Sequence, residues 1–131
     1  LIIDSTGLDL IQSLVLTEFG ATGTGSESAI HGKMDQINKL ARHGVHGIRM
    51  LGSAAYNLTR ISTNSAQIYF EQGIHAWDVA AGALIVREAG GIISELPQSK
   101  ENSNDFRVNA RSIVAASSKS ILDSFFNVIS Q

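Results

Sequence analysis

The chain has 131 residues, 44% of them hydrophobic and 17% charged, with a formal net charge of -2. That suits one folded domain with its own core. It is too apolar for a disordered segment and lacks the basic surplus of a nucleic-acid binder. It contains no cysteine, which excludes a disulfide framework and thiolate metal ligation and fits a cytoplasmic protein.

Leu1-Ile2-Ile3 opens the chain without Met, and no basic n-region or small-residue cleavage pattern marks a signal peptide. Upstream sequence is therefore expected. No apolar run approaches the roughly 20 residues of a membrane span, so no membrane partner is expected.

Ser13 to Phe19 reads as a buried strand, followed by a glycine-rich surface loop from Gly20 to Ser26. Ser26 to Arg42 reads as an exposed helix with Ile30, Met34, Ile37 and Ala41 at helical spacing. Gly47 to Leu51 is a short strand. Ser53 to Ser62 is a helix with Ala54, Leu58 and Ile61 on one stripe. Gln67 to Glu71 is a strand. Trp77 to Ala89 is a helix apolar nearly all round, which predicts burial, and Gly90-Gly91 ends it. Ile92 to Leu96 is a strand, Pro97 to Asp105 a polar loop, and Ser112 to Ala116 another strand. Lys119 to Ile129 closes as an amphipathic helix with Ile121, Leu122, Phe125, Val128 and Ile129 inward. The sum is about five strands and four helices, with no linker to divide them: a single α/β layered domain over residues 1–131.

Sites in such folds gather where strands end and helices begin. Glu71 stands at a strand end and Asp78 in the first turn of the next helix. There the free N–H groups and the helix dipole hold a carboxylate as an anion, which suits a hard cation such as Mg²⁺. The plainer readings are a helix cap for Asp78 and a solvated strand end for Glu71. Gly52, Ser53 and Ala54 form a second strand-to-helix turn, where backbone N–H groups can meet a phosphate or a sugar hydroxyl. Their spacing matches no phosphate loop, and tight helix packing explains small residues equally well. His31, His43, His46 and His75 include no pair with zinc-site spacing. His31 and His43 read as surface residues and His46 as a structural hydrogen-bonder. His75 either lines a pocket or supports its loop. Trp77, beside an apolar helix, reads as core.

The stretch Glu71-Gln72-Gly73-Ile74-His75-Ala76-Trp77-Asp78-Val79-Ala80-Ala81-Gly82, continued by Glu88-Ala89-Gly90-Gly91, closely resembles the C-terminal signature of the inositol monophosphatase family. Leu14 to Gly20, Val45 to Asn57 and Val114 to Ser117 are similar to further segments of that family. The Gly-Ile-His-Ala-Trp-Asp form is closer to animal members than to bacterial ones. The resemblance implies the C-terminal half of the layered α-β-α-β-α fold shared with fructose-bisphosphatase-like enzymes, about five strands in a mixed sheet with flanking helices. It implies a Mg²⁺-dependent hydrolase of myo-inositol monophosphates, lithium-sensitive and homodimeric. Asp78 would be a Mg²⁺ ligand that also touches an inositol hydroxyl. Glu71 would accept from another ring hydroxyl, and Gly52, Ser53 and Ala54 would meet the ring.

The family's other metal ligands, a Glu and an Asp-x-x-Asp-Gly-Thr motif, are not in this chain: the one proline, Pro97, follows Leu96, and no such motif occurs. No complete catalytic set is therefore present, and the chain by itself is expected to be inactive. Two readings stay open: part of an inositol-phosphate phosphatase, or a non-catalytic truncated isoform or paralogue serving as a binding or dimerisation module. Relatives acting on bisphosphorylated nucleotides, fructose bisphosphate or inositol polyphosphates are less similar around Glu71 and Asp78.

Overall fold

In the computed structural model, residues 2–20, 26–97 and 106–131 are described. Most of both expected loops, residues 21–25 and 98–105, lies outside that set. In chain order the elements are β1 (Leu14–Thr17), α1 (Glu27–His43), β2 (Gly47–Arg49), α2 (Ala54–Ser62), β3 (Ile68–Gln72), α3 (Ala76–Glu88), β4 (Ile92–Ser94), β5 (Ser112–Ala116) and α4 (Lys119–Ile129). The strands form one mixed sheet in the order β2-β1-β3-β5-β4. β2, β1 and β3 run parallel, and β5 is antiparallel to both β3 and β4.

The strands are short, β-branched and apolar on both sides because helices cover both faces. Alternation sorts their side chains. Val15, Ile68, Phe70, Val114 and Ala116 face Leu40 of α1 and Ile121, Leu122, Phe125 and Val128 of α4. Leu16, Tyr69, Ile113 and Ala115 face Leu58 and Ile61 of α2 and Val79, Ala83 and Val86 of α3. Because β1, β2 and β3 are parallel, the segments that leave them emerge at one sheet edge. That edge therefore collects Glu18, the Leu51–Ser53 turn, Glu71 and the start of α3.

α1 is the exposed helix expected, with Ile30 and Met34 in solvent, and it docks through Lys33 and Leu40, while two expectations, on α3 and Trp77, are corrected. Leu40 reaches the core, and the Lys33 ammonium lies over the Phe70 ring. α3 buries one face, Val79, Gly82, Ala83 and Val86, and leaves Leu84 and Ile85 exposed, because α2 and the sheet contact it on that face. Trp77 is 80% exposed rather than core. It sits in the first turn of α3, where its ring stacks on His75 with centroids 4.4 Å apart.

Gly82 sets how closely α2 and α3 approach. A Cβ there would lie 2.5 Å from Leu58 Cδ1 and 2.8 Å from Leu58 Cβ. Overpacking of this kind costs about 1–3 kcal/mol, offset by about 1 kcal/mol of better helix propensity for Ala. Gly82→Ala is expected to lower the free energy of unfolding by about 1 kcal/mol; a urea midpoint at or above the wild-type value would contradict the tight crossing.

Candidate active site

β1 and β3 end side by side, with Thr17 opposite Phe70. Alternation then sends Thr17 toward α1 and places Glu18 and Glu71 on the α2/α3 side. Thr17 Oγ1 donates to Phe70 O (2.7 Å) and accepts from Lys33 Nζ (3.0 Å). Lys33 is 3% exposed, with its ammonium 4.1 Å from the centroid of the Phe70 ring.

Glu71 is not a solvated strand end. It is 5% exposed, and its Oε2 accepts a short hydrogen bond from Tyr69 Oη. Burial pushes its carboxyl above the usual range. The Tyr69 hydrogen bond opposes this, the charges of Glu18 and Asp78 add to it, and Lys33 pulls back. Burial, and then the neighbouring Glu71, also raise the Tyr69 phenol. Glu71 is thus a buried carboxylate held by the Tyr69 hydroxyl.

Asp78 occupies the third position of α3 and takes the expected cap role. Its Oδ2 accepts from the His75 backbone N–H (3.0 Å), and its own N–H donates to His75 O (3.0 Å). Capping consumes one carboxylate oxygen; Oδ1 takes no hydrogen bond from the described residues. Cap and cation ligand are therefore compatible on one side chain. His75 stacks on Trp77, and its Nε2 lies 3.3 Å from Arg111 Nη2, so its ring is engaged by the start of α3 and by Arg111.

Gly52, Ser53 and Ala54 lead into α2 as expected, with one difference. The N–H groups of Leu51 and Gly52 both donate to Glu18 Oε1 at 2.8 Å, and Asn57 Nδ2 joins them at 3.0 Å. Ser53 Oγ accepts from Tyr56 N (3.2 Å). Among the described residues, the N–H groups left to meet a ligand at this helix start are those of Ser53, Ala54 and Ala55.

Glu18, Lys33, Tyr69 and Arg111 complete the site, and none was singled out from the sequence. Glu18 was hidden inside an expected strand that in fact stops at Thr17. An apolar strand followed by Thr-Glu-Phe-Gly is the same strand-end carboxylate pattern that marks Glu71. Lys33 has a weaker signal, its i, i+4, i+7 spacing with Ile37 and Leu40.

The cation at the centre of this cluster yields a pH prediction. Burial lowers the Lys33 ammonium from 10.5 to about 8, against the pull of Glu71 and Glu18. Between those values the unfolded chain holds the proton and the folded chain does not, so stability rises with pH there. Relative to Lys33→Met, the wild type is expected to gain on the order of 3 kcal/mol between pH 8 and 10.5. A wild-type-minus-variant difference that stays flat over that interval would contradict the burial of a titrating Lys33.

Among the described residues no three His, Cys, Asp or Glu side chains converge to hold a metal ion, and no helix is long and apolar enough to cross a membrane. What the edge offers is one hard carboxylate with a free oxygen, a second buried carboxylate beside it, and a helix start with free N–H groups. Those donors fit part of the coordination of an oxygen-loving cation and a hydroxyl-rich phosphate ester.

Residues 5–130 match the model of the inositol monophosphatase family. Human inositol monophosphatase 1 is 35% identical over 111 residues, 85% of this chain and 38% of the human protein. The Bos taurus enzyme is 34% identical over 115 residues, 88% and 39% of the two chains. A solved inositol monophosphatase from Anabaena (Nostoc) sp. PCC 7120 superposes with a TM-score of 0.81 at 28% identity, over 99% of this chain and 48% of that one. An extragenic suppressor protein suhB from Bartonella henselae does so with a TM-score of 0.78 at 25% identity. The chain thus spans well under half the length of the curated relatives it matches. Signature, site edge and comparisons agree: the chain belongs to the inositol monophosphatase family.

Proposed function

We propose that these residues form one wall of a Mg²⁺-dependent phosphomonoesterase site that releases phosphate from myo-inositol monophosphates. The observation that carries this reading is the meeting of Glu71, Asp78 and the Gly52–Ala54 turn at one sheet edge in a chain of this family. Asp78 Oδ1 would take one coordination position of the cation, and the same carboxylate would touch the hydroxyl beside the scissile ester. Glu71, fixed by Tyr69, would accept from a second ring hydroxyl. The Gly52–Ala54 turn into α2, fixed by Glu18, would meet the ring, with the free Ser53 and Ala54 N–H groups toward it. When bound, Mg²⁺ would supply an activated water and neutralise charge on the phosphate.

A lone carboxylate holds Mg²⁺ weakly, because the ion keeps most of its waters. The remaining ligands would come from an N-terminal half, and the 131 residues by themselves would release no phosphate. The complete protein would be a cytoplasmic, lithium-sensitive homodimer.

A second reading, a non-catalytic binding or dimerisation module, is favoured by the exposed Trp77, Leu84 and Ile85 on α3. One assay separates the two. The complete protein is offered inositol monophosphates, fructose 1,6-bisphosphate and adenosine 3′,5′-bisphosphate, with Mg²⁺, with and without lithium. Preferential, lithium-inhibited release from inositol monophosphates is expected. Preference for either bisphosphate would overturn the substrate class, and no release from any of them would favour the module.

A further inference from the structure

The loop from Gly73 to His75, which joins β3 to α3, is gripped from outside by Arg111 at the start of β5. Gly73 N donates to Arg111 O (2.8 Å). In return the guanidinium reaches back along the loop: Nη2 donates to Gly73 O (2.8 Å) and Nε to Ile74 O (3.2 Å), while Nη2 lies 3.3 Å from His75 Nε2. Arg111 adopts φ 60° to do this, in the left-handed region, one of two non-glycine residues to do so among those described. That conformation costs on the order of 1 kcal/mol. It persists because the pairing of Gln72 with Ser112 holds the backbone on one side and the loop holds the guanidinium on the other.

One of these contacts bears directly on Asp78. A trans peptide is planar, with its C=O and N–H pointing in opposite directions. In the peptide between Ile74 and His75, the C=O accepts from Arg111 Nε and the N–H donates to Asp78 Oδ2. The plane is therefore held at both ends, by the guanidinium and by the carboxylate. If Arg111 releases the carbonyl, the plane is free to rotate and the N–H no longer aims at Asp78. Buried Ile74 anchors one end of the plane in the α2/α3 core, and the His75 ring, stacked on Trp77, anchors the other.

We propose that Arg111 is a positioning residue that sets the direction of the Asp78 carboxylate through the Ile74–His75 peptide plane. His75 belongs to this clamp: its ring sits between Arg111 and Trp77, and its backbone carries the aiming N–H. The proposal rests on the reading of Asp78 as a cation ligand. It adds a residue far along the chain that acts on the cation only through that peptide. A lysine cannot replace it, because one ammonium lacks the planar fork that spans two successive carbonyls.

The test uses the complete protein with Arg111→Ala, Arg111→Lys and, as reference, Asp78→Asn, each confirmed folded by its melting curve. Mg²⁺ affinity is read by titration calorimetry. The loop is read by the ¹⁹F resonance of 5-fluorotryptophan at position 77, assigned with Trp77→Phe. Arg111→Ala is expected to weaken Mg²⁺ on the order of 10-fold and to shift the Trp77 resonance. Arg111→Lys should recover only part of the affinity, and millimolar guanidinium ion should restore Arg111→Ala toward wild type. A residue that only stabilises the fold would leave Mg²⁺ affinity unchanged well below the melting temperature and would show no guanidinium rescue. Wild-type Mg²⁺ affinity in Arg111→Ala, with Asp78→Asn impaired, would overturn the clamp and leave the role of Asp78 standing. Wild-type affinity in both would overturn the role of Asp78 and the orienting role of Arg111 with it.

Discussion

Asp78→Asn is expected to separate folding from chemistry. The amide oxygen of Asn can still accept from the His75 N–H, which Asp78 Oδ2 accepts at 3.0 Å, and the charge lost from the first turn of α3 costs only about 0.3–1 kcal/mol through the helix dipole. The melting temperature should therefore move little, by the equivalent of less than about 1 kcal/mol. The neutral amide, however, offers a poor ligand for a divalent cation that favours carboxylate oxygen. In the complete protein, turnover of an inositol monophosphate should fall on the order of 100-fold or more, with a higher Mg²⁺ requirement. Near-normal rates at saturating Mg²⁺ would contradict the ligand role. A large loss of stability would instead mean that the charge of Asp78 matters chiefly to the start of α3.

Gly20→Ala is expected to have the largest effect on stability. Gly20 follows β1 with φ +84°, a conformation disfavoured for any residue with a side chain. A Cβ there would lie 2.1 Å from Gln72 O. That atom is backbone at the end of β3, so it cannot swing aside as a side chain would. Relief requires the ends of β1 and β3 to part, which is where Glu18 and Glu71 stand. The cost should reach about 3 kcal/mol, lowering the melting temperature by roughly 10 °C. A midpoint within a degree or two of wild type would show that the close approach relaxes freely. Because the strands part at the site, substrate affinity should fall along with stability.

Much of the architecture was legible in the sequence. Short apolar runs alternate with helical periodicity, and glycine or polar turns separate them, so all nine elements appear in the expected order with ends displaced by a few residues. What could not be read was which side of an element finds a partner. α3 is apolar nearly all round, and periodicity does not reveal that α2 and the sheet cover only one face, leaving Leu84 and Ile85 in solvent. On α1 the visible stripe of Ile30 and Met34 lies in solvent, and the helix docks instead through Lys33, whose ammonium lies over Phe70 and donates to Thr17.

The site divides along the same line. Glu71 and Asp78 stand out because carboxylates at a strand end and a helix start follow from local pattern. Their immediate partners, Tyr69 and the His75 backbone, are local, but the contacts that shape the surrounding turns depend on tertiary placement. Glu18 joins Leu51 and Gly52 across more than thirty residues of chain, and Arg111 grips Gly73 and Ile74 from nearly forty residues away. No local spacing announces such contacts. Trp77 shows the limit of composition: a large aromatic beside an apolar helix reads as core, yet its partner is the ring of His75 two residues earlier.

The role of Asp78 is read by measuring inorganic phosphate released from myo-inositol 1-phosphate by the complete protein as Mg²⁺ is varied, with Asp78→Asn and the 131-residue chain measured alongside. Saturable, Mg²⁺-dependent release by the complete protein is expected, reduced on the order of 100-fold or more in Asp78→Asn, with none from the 131 residues alone. Release that is independent of Mg²⁺, or unchanged in Asp78→Asn, would contradict that role.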